Sequence, residues 1–171
     1  KLNFYWFEEP MDESSMSSYI WLSEQLDIPI IGPETMTGKI STRAEWVKNN
    51  AVDILRGGTG DLGGLTPLMK VAHLAESFNM AMEVHGGKEG NLHALGSIRI
   101  PGEFYERGLL HPHVNYEKSP EYLHEIIDPM DDEGFIHMPK GVGLGLKINH
   151  DYIQDNLIST NSDLKKARRQ S

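Results

Sequence analysis

Short apolar runs alternate with longer segments of helical spacing along this chain. Phe4-Tyr5-Trp6-Phe7 is bulky and β-prone, as in a strand buried on both faces, and Pro10 closes the segment. From Ser14 to Leu26, apolar residues at Met16, Tyr19, Ile20, Leu22 and Leu26 fall near a helical period, with serines at the start as candidate N-caps. Ile28 to Ile31 predicts a second strand. Ser41 or Thr42 can cap a helix running to Asn49, and Val52 to Leu55 predicts a third strand. Thr66 and Pro67 open a strong helix over Leu68 to Phe78. Met80 to Val84 predicts a fourth strand, and Asn91 to Ile98 a short helix. Glu103-Phe104-Tyr105-Glu106 predicts a fifth strand, and Asp151 to Leu157 a last short helix.

Strand–helix repeats of this size imply parallel βαβ units and an α/β fold. Glu8, Glu34 and His85 then sit at successive strand ends, all on one rim of a parallel sheet, where a closed barrel carries out its chemistry. A barrel takes eight units and about 250 residues. About five units fit here, so the chain reads as the C-terminal half of a barrel or as an open doubly wound sheet. Gly58-x-Gly60-x-x-Gly63 is a weak dinucleotide match, with Glu83 at a compatible distance. It lies in the third unit rather than the first, which argues against that use.

Residues 1–110 read as the half barrel. From Arg107 the alternation fades, and His111-Pro112, Asp128-Pro129 and Gly141 to Gly145 predict an irregular wrap-around segment over 111–157. Residues 158–171 read as a disordered tail.

Composition narrows the function classes. The 171 residues carry 25 acidic and 16 basic side chains, a net charge of −9. Lys165-Lys166-Ala167-Arg168-Arg169 is the single basic cluster and has no aromatic support, so nucleic-acid binding is not expected. No apolar run approaches the roughly 20 residues of a membrane span. The lack of cysteine removes disulfides and thiolate chemistry and suits a cytoplasmic protein. An acidic chain that holds an anionic substrate needs a metal or local arginines, and Arg56 lies at a strand end. The chain starts at Lys1-Leu2-Asn3, directly before a strand, which predicts an N-terminal truncation.

Four motifs in order, Trp6-Phe7-Glu8-Glu9-Pro10, Gly32-Pro33-Glu34, Asp61-Leu62-Gly63-Gly64-Leu65-Thr66 and Glu83-Val84-His85-Gly86, resemble the enolase superfamily. More narrowly, the chain looks like the mandelate racemase and muconate lactonizing group, in particular its acid-sugar dehydratases. The resemblance covers Phe4 to about Tyr152. It implies the C-terminal part of a TIM-like (β/α)7β barrel, without the capping domain and first strands.

The resemblance also implies chemistry. Enolase-superfamily sites pair a Lys or His base with Mg²⁺, and the expected reaction is Mg²⁺-dependent dehydration of an acid sugar. A racemase, epimerase or cycloisomerase on the same scaffold is the alternative, as is an inactive fragment with an exposed sheet edge. Glu8 and Glu34 carry over as the second and third metal ligands, the first lying before Lys1. Glu9 becomes a cavity carboxylate near substrate. His85 matches the family's catalytic histidine, but the position of its usual aspartate partner is Gly58, with Asp61 as a possible substitute. Glu106, or equally Tyr105, matches a strand-end group that contacts substrate. Arg56 could bind the distal carboxylate of a diacid. The implied partners are a small acid sugar and, in the full-length form, further copies of the chain. The other histidines, His73, His93, His111, His113, His124, His137 and His150, lack metal-ligand spacing. Met69, Met80 and Met82 read as core filler.

Overall fold

A computed structural model describes residues 2–87, 89–100, 102, 104–107 and 117–158. Four parallel strands lie side by side in chain order: β1 (Phe7–Glu8), β2 (Ile30–Gly32), β3 (Ile54–Gly57) and β4 (Ala81–Val84). Between them run α1 (Met16–Gln25), α2 (Lys39–Lys48), and the pair α3 (Thr59–Leu62) and α4 (Leu65–Ser77). Two short helices follow, α5 (Asn91–Leu95) and α6 (His150–Asp155). Each crossover returns the chain parallel to its predecessor, the arrangement of consecutive units in a β/α barrel.

Strand alternation sorts the side chains. Ile30, Leu55, Met82 and Val84 pack with Tyr19, Trp46, Leu68, Val71 and Ala75 in one core beneath the helices. The strand register pairs Glu8 with Ile31, Ile31 with Ile54, and Arg56 with Glu83, so these residues share the opposite face. That face holds buried charge, with Arg56 2% exposed and Glu83 5% exposed.

Several elements depart from expectation. Phe4-Tyr5-Trp6-Phe7 is not a strand buried on both faces: only Phe7 joins β1, and Phe4, Tyr5 and Phe7 are exposed. Among the described residues, β1 bonds to β2 alone. Tyr5 and Trp6 instead meet Phe104 edge-on, with ring centroids 5.7 and 5.6 Å away.

The serine and threonine caps also work differently. Ser15 occupies the N-cap of α1, but its hydroxyl bonds the Ser18 hydroxyl at 2.7 Å rather than a helix amide. Helix α2 starts earlier than expected, after Gly38 in a left-handed conformation (φ 83°). Ser41 Oγ therefore donates back to Gly38 O at 2.8 Å from inside the first turn. The glycine-rich stretch is not all loop, since α3 forms within it. Gly63 and Gly64 follow with φ of 88° and 122°, values that favour glycine. Helix α5 stops at Leu95, short of the expected Ile98.

The fifth strand does not form among the described residues: Phe104, Tyr105 and Glu106 are irregular, and Glu103 lies outside the described set. Gly86 N–H, just beyond β4, donates to the Glu106 side chain at 2.8 Å, so this contact is not a strand ladder bond. Residues 117–158 contain two isolated antiparallel bridges, Leu123 with Ile148 and Met130 with Ile136, and then α6. The expected tail, Ile158 aside, falls outside the described residues, as do His111 and His113. No helix among the described residues is long and apolar enough to cross a membrane.

Candidate active site

The C-terminal ends of all four strands deliver polar side chains to one place. Glu8 ends β1, Glu34 follows β2 by two residues, Arg56 sits within β3, and His85 follows β4 directly. The β3–β4 ladder continues one step further, because His85 N–H donates to Gly57 O at 3.0 Å. The imidazole thus springs from backbone that is still sheet-bonded.

Arg56 is the hub. Its Nη2 donates to Glu8 Oε1 at 2.9 Å and to Glu106 Oε2 at 2.6 Å, and its Nε donates to Glu34 Oε2 at 3.1 Å. Burial alone lowers an arginine's pKa, but Glu106, Glu8 and Glu34 outweigh it and hold Arg56 above its ordinary value. One fixed cation thus serves three carboxylates.

His85 joins the same network. Its Nδ1 lies 2.8 Å from Glu34 Oε2 and 3.5 Å from Glu106 Oε2. Hydrogen bonding to Glu106 and then to Glu34 pushes the imidazole up to about 10. On distance, Glu34 is the firmer partner of the two. Arg56 Nη2 also stands 3.2 Å from His85 Nδ1. With the Nδ1 proton directed at Glu34, that is a contact between two donors, balanced by the surrounding carboxylates.

The same bonds act on the acids. His85 is the main cause that holds Glu106 down at about 2, helped by Gly86 N–H and Arg56 against its burial. Burial pushes Glu34 up, but bonds from His85 and Arg56 prevail and leave it below its usual value.

Gly58 stands where the resemblance places an aspartate, and the packing explains why no side chain is there. A Cβ at Gly58 would lie 2.6 Å from His85 O and 3.0 Å from Asp61 Oδ2. Asp61 lies in α3, with Oδ2 buried and, among the described residues, without a hydrogen-bond partner. Its charge adds to the upward push on His85, but Glu34 and Glu106 are the carboxylates in contact with the ring.

Asn91 was not singled out in the sequence, yet it joins the β3 and β4 loops. It is fully buried, accepts Thr59 N–H at Oδ1 (2.8 Å), and donates from Nδ2 to His85 O and Gly86 O (2.7 Å each). Asn91→Ala leaves these three backbone groups unpaired and is expected to cost about 2 kcal/mol, read from the midpoint of urea unfolding. A midpoint unchanged from the unsubstituted protein would refute that role.

Glu9 and Tyr105 point elsewhere. Glu9, with φ 42°, lines a cleft of about 510 Å³ together with Asp12, Glu13 and Thr35. Burial, then the bond to Glu13 and its charge, push Glu9 up to about 8. Glu8, Arg56 and His85 do not line that cleft. Tyr105 donates its hydroxyl to Asp128 Oδ2 at 2.9 Å, and burial followed by Asp128 pushes its pKa up.

Two carboxylates from adjacent strand ends, Glu8 and Glu34, converge on one guanidinium. In this structure their oxygens are engaged by Arg56, and carboxylate oxygens are the donor type that suits a hard divalent ion. Among the described residues, no group of three potential ligands is placed to hold a metal.

Comparison with known proteins agrees with this architecture. The sequence model of the family described as enolase C-terminal domain-like matches residues 1–152. A solved D-glucarate dehydratase from Agrobacterium tumefaciens, complexed with magnesium, is 52% identical with a TM-score of 0.84, over 91% of this chain and 40% of that one. An arabinonate dehydratase from Saccharolobus solfataricus is 31% identical over 109 residues, 59% of this chain and 28% of the relative. The chloromuconate cycloisomerase CbnB from Cupriavidus necator is 25% identical over 153 residues, 86% of this chain and 39% of the relative. This chain spans between 28% and 40% of the length of these three relatives.

Proposed function

Because the chain belongs to the enolase C-terminal domain-like family, we propose that it supplies part of the active site of a Mg²⁺-dependent hydro-lyase acting on an acid sugar, an aldonate or an aldarate. The observation that carries this reading is the meeting of Glu8, Glu34, Arg56, His85 and Glu106 at one sheet rim. Likeness to dehydratases named for glucarate and arabinonate supports the substrate class.

A proton next to a carboxylate is weakly acidic, and its transfer to a base contributed by another part of the full-length enzyme leaves an enediolate with concentrated negative charge. When bound, Mg²⁺ supplies fixed positive charge beside that carboxylate. Glu8 and Glu34 are the residues of this chain that would hold it. Arg56, expected from the sequence to bind a distal carboxylate, is instead buried, with Nη2 and Nε taken by Glu8, Glu106 and Glu34, so its role is to hold the carboxylates of the site. His85 is anchored at Nδ1 by Glu34, and among the described residues no hydrogen bond reaches Nε2. Nε2 is the atom that passes a proton to the departing hydroxyl on the neighbouring carbon. The carbon–oxygen bond breaks, water leaves, and the enol product becomes a 2-keto-3-deoxy acid. Glu106, bonded to Arg56 and to Gly86 N–H, keeps the imidazole and guanidinium at a fixed separation.

The cysteine-free sequence supports a reducing, cytoplasmic setting for this chemistry. The full-length form is proposed to be a homo-oligomer.

The test incubates the full-length protein with Mg²⁺ and a panel of aldonates and aldarates. Keto-acid formation supports dehydration. A change in optical rotation without keto acid would instead indicate racemisation or epimerisation. Glu8→Gln and Glu34→Gln are each expected to weaken Mg²⁺ binding by about a hundredfold, measured by calorimetry. Equal affinity in both variants would remove the metal-ligand assignment.

A further inference from the structure

Two buried charged residues grip the peptide of Glu34 from opposite sides, and the chemistry above uses neither. On one side Glu13, 8% exposed, accepts the Glu34 N–H, the Thr35 N–H at 2.8 Å and the Thr35 hydroxyl at 2.6 Å. On the other, Arg43, fully buried in α2, donates from Nη2 to Pro33 O at 3.0 Å and to Glu34 O. Its Nη1 donates to Met36 O at 3.0 Å. Both amide and carbonyl of residue 34 are therefore held by ionised partners, the stronger kind of hydrogen bond. Burying a carboxylate and a guanidinium is costly. Apart from the Glu13 bond to Glu9 and a longer Arg43 Nη1 bond to Lys39 O at 3.4 Å, these contacts fall on the four residues from Pro33 to Met36. Beyond this clamp, the Glu34 side chain reaches Arg56 and His85.

We propose that Glu13 and Arg43 are positioning residues, which together fix the Glu34 peptide so that its carboxylate is presented to the rim in the orientation that binds a divalent cation. This rests on Glu34 being a metal ligand, and it concerns how the ligand is held rather than which residue it is. A loop glutamate free to rotate loses conformational entropy when it coordinates an ion. A clamped one has lost it on folding, and so binds more tightly.

Glu13→Gln places an amide donor against the Thr35 or Glu34 donors and breaks part of the clamp without removing volume. Arg43→Met keeps the apolar stem and removes the carbonyl bonds. Each is expected to bind Mg²⁺ about tenfold more weakly by calorimetry. Amide hydrogen exchange is expected to quicken at Glu34 and Thr35 while β3 and α4 keep their protection. Arg43→Lys is expected to recover part of the affinity lost in Arg43→Met. Undiminished Mg²⁺ affinity in folded Glu13→Gln and Arg43→Met overturns the clamp, as does faster exchange spread evenly over β3 and α4. The two readings fail differently. If the unsubstituted full-length protein, in which all these measurements are made, binds no Mg²⁺, the ligand assignment of Glu34 falls and the clamp with it. If Glu34→Gln weakens binding and the clamp variants do not, the clamp alone falls.

Discussion

Arg56→Met is expected to lower folding stability by about 3 kcal/mol at neutral pH, seen as a reduced midpoint in urea unfolding. Arg56 is 2% exposed and is the one guanidinium that Glu8, Glu34 and Glu106 share. Replacing it with an apolar side chain of similar length preserves packing and isolates the electrostatic effect. Glu34 loses its Nε donor and Glu106 loses its shortest ion pair. The His85 imidazolium remains, but one ring cannot neutralise three acids. The loss lies toward the lower end of what breaking a buried pair costs, because Glu8 and Glu106 side chains retain 40% and 39% of their exposure. The same logic gives a second signature. A divalent cation bound by Glu8 and Glu34 compensates the charge that Arg56 no longer balances, so Mg²⁺ should raise the unfolding midpoint more in Arg56→Met than in the unsubstituted protein. A variant as stable as its parent, or one indifferent to Mg²⁺, would show that the three carboxylates do not depend on this guanidinium.

The parts of this architecture legible in the sequence are those with a local signal. Helix α4 announces itself through apolar spacing and an early Pro67, and it forms as Leu65–Ser77. Strand ends are marked by the change from apolar runs to charged residues, which brought out Glu8, Glu34, Arg56 and His85. What stayed hidden depends on distant partners. Arg56 meets Glu106 across 50 positions, and no local pattern records that contact. Glu13 resembles any acidic residue before a helix; its burial against the Glu34 peptide appears only once β1 and β2 lie side by side. Asn91 reads as a helix start, yet its side chain bonds loops rather than its own helix. Phe4 to Phe7 differs for the converse reason: a bulky β-prone run signals burial only where other elements cover it, and among the described residues β1 bonds to β2 alone.

His85→Asn is expected to reduce turnover of the full-length protein by roughly a hundred- to ten-thousandfold, the range for removing a positioned proton-transfer group. Asparagine keeps a nitrogen donor close to the Nδ1 position, so the bond to Glu34 survives and Mg²⁺ affinity should stay near that of the parent. What asparagine cannot do is deliver a proton from the Nε2 side. The decisive comparison runs in deuterated water, following two quantities in parallel: keto-acid formation and exchange of the proton next to the substrate carboxylate. If His85 serves the departing hydroxyl, the variant still exchanges that proton while keto acid all but disappears, because the enediolate forms and returns without losing water. If His85 is the base, exchange and product fall together. The geometry favours the first outcome. The ring sits between two carboxylates that stabilise its protonated form, an arrangement suited to donating a proton. An abstracting base would need a neutral nitrogen at the start of the cycle. Loss of both signals in His85→Asn, with Mg²⁺ affinity intact, would therefore reverse the assignment and make the imidazole the group that begins the reaction.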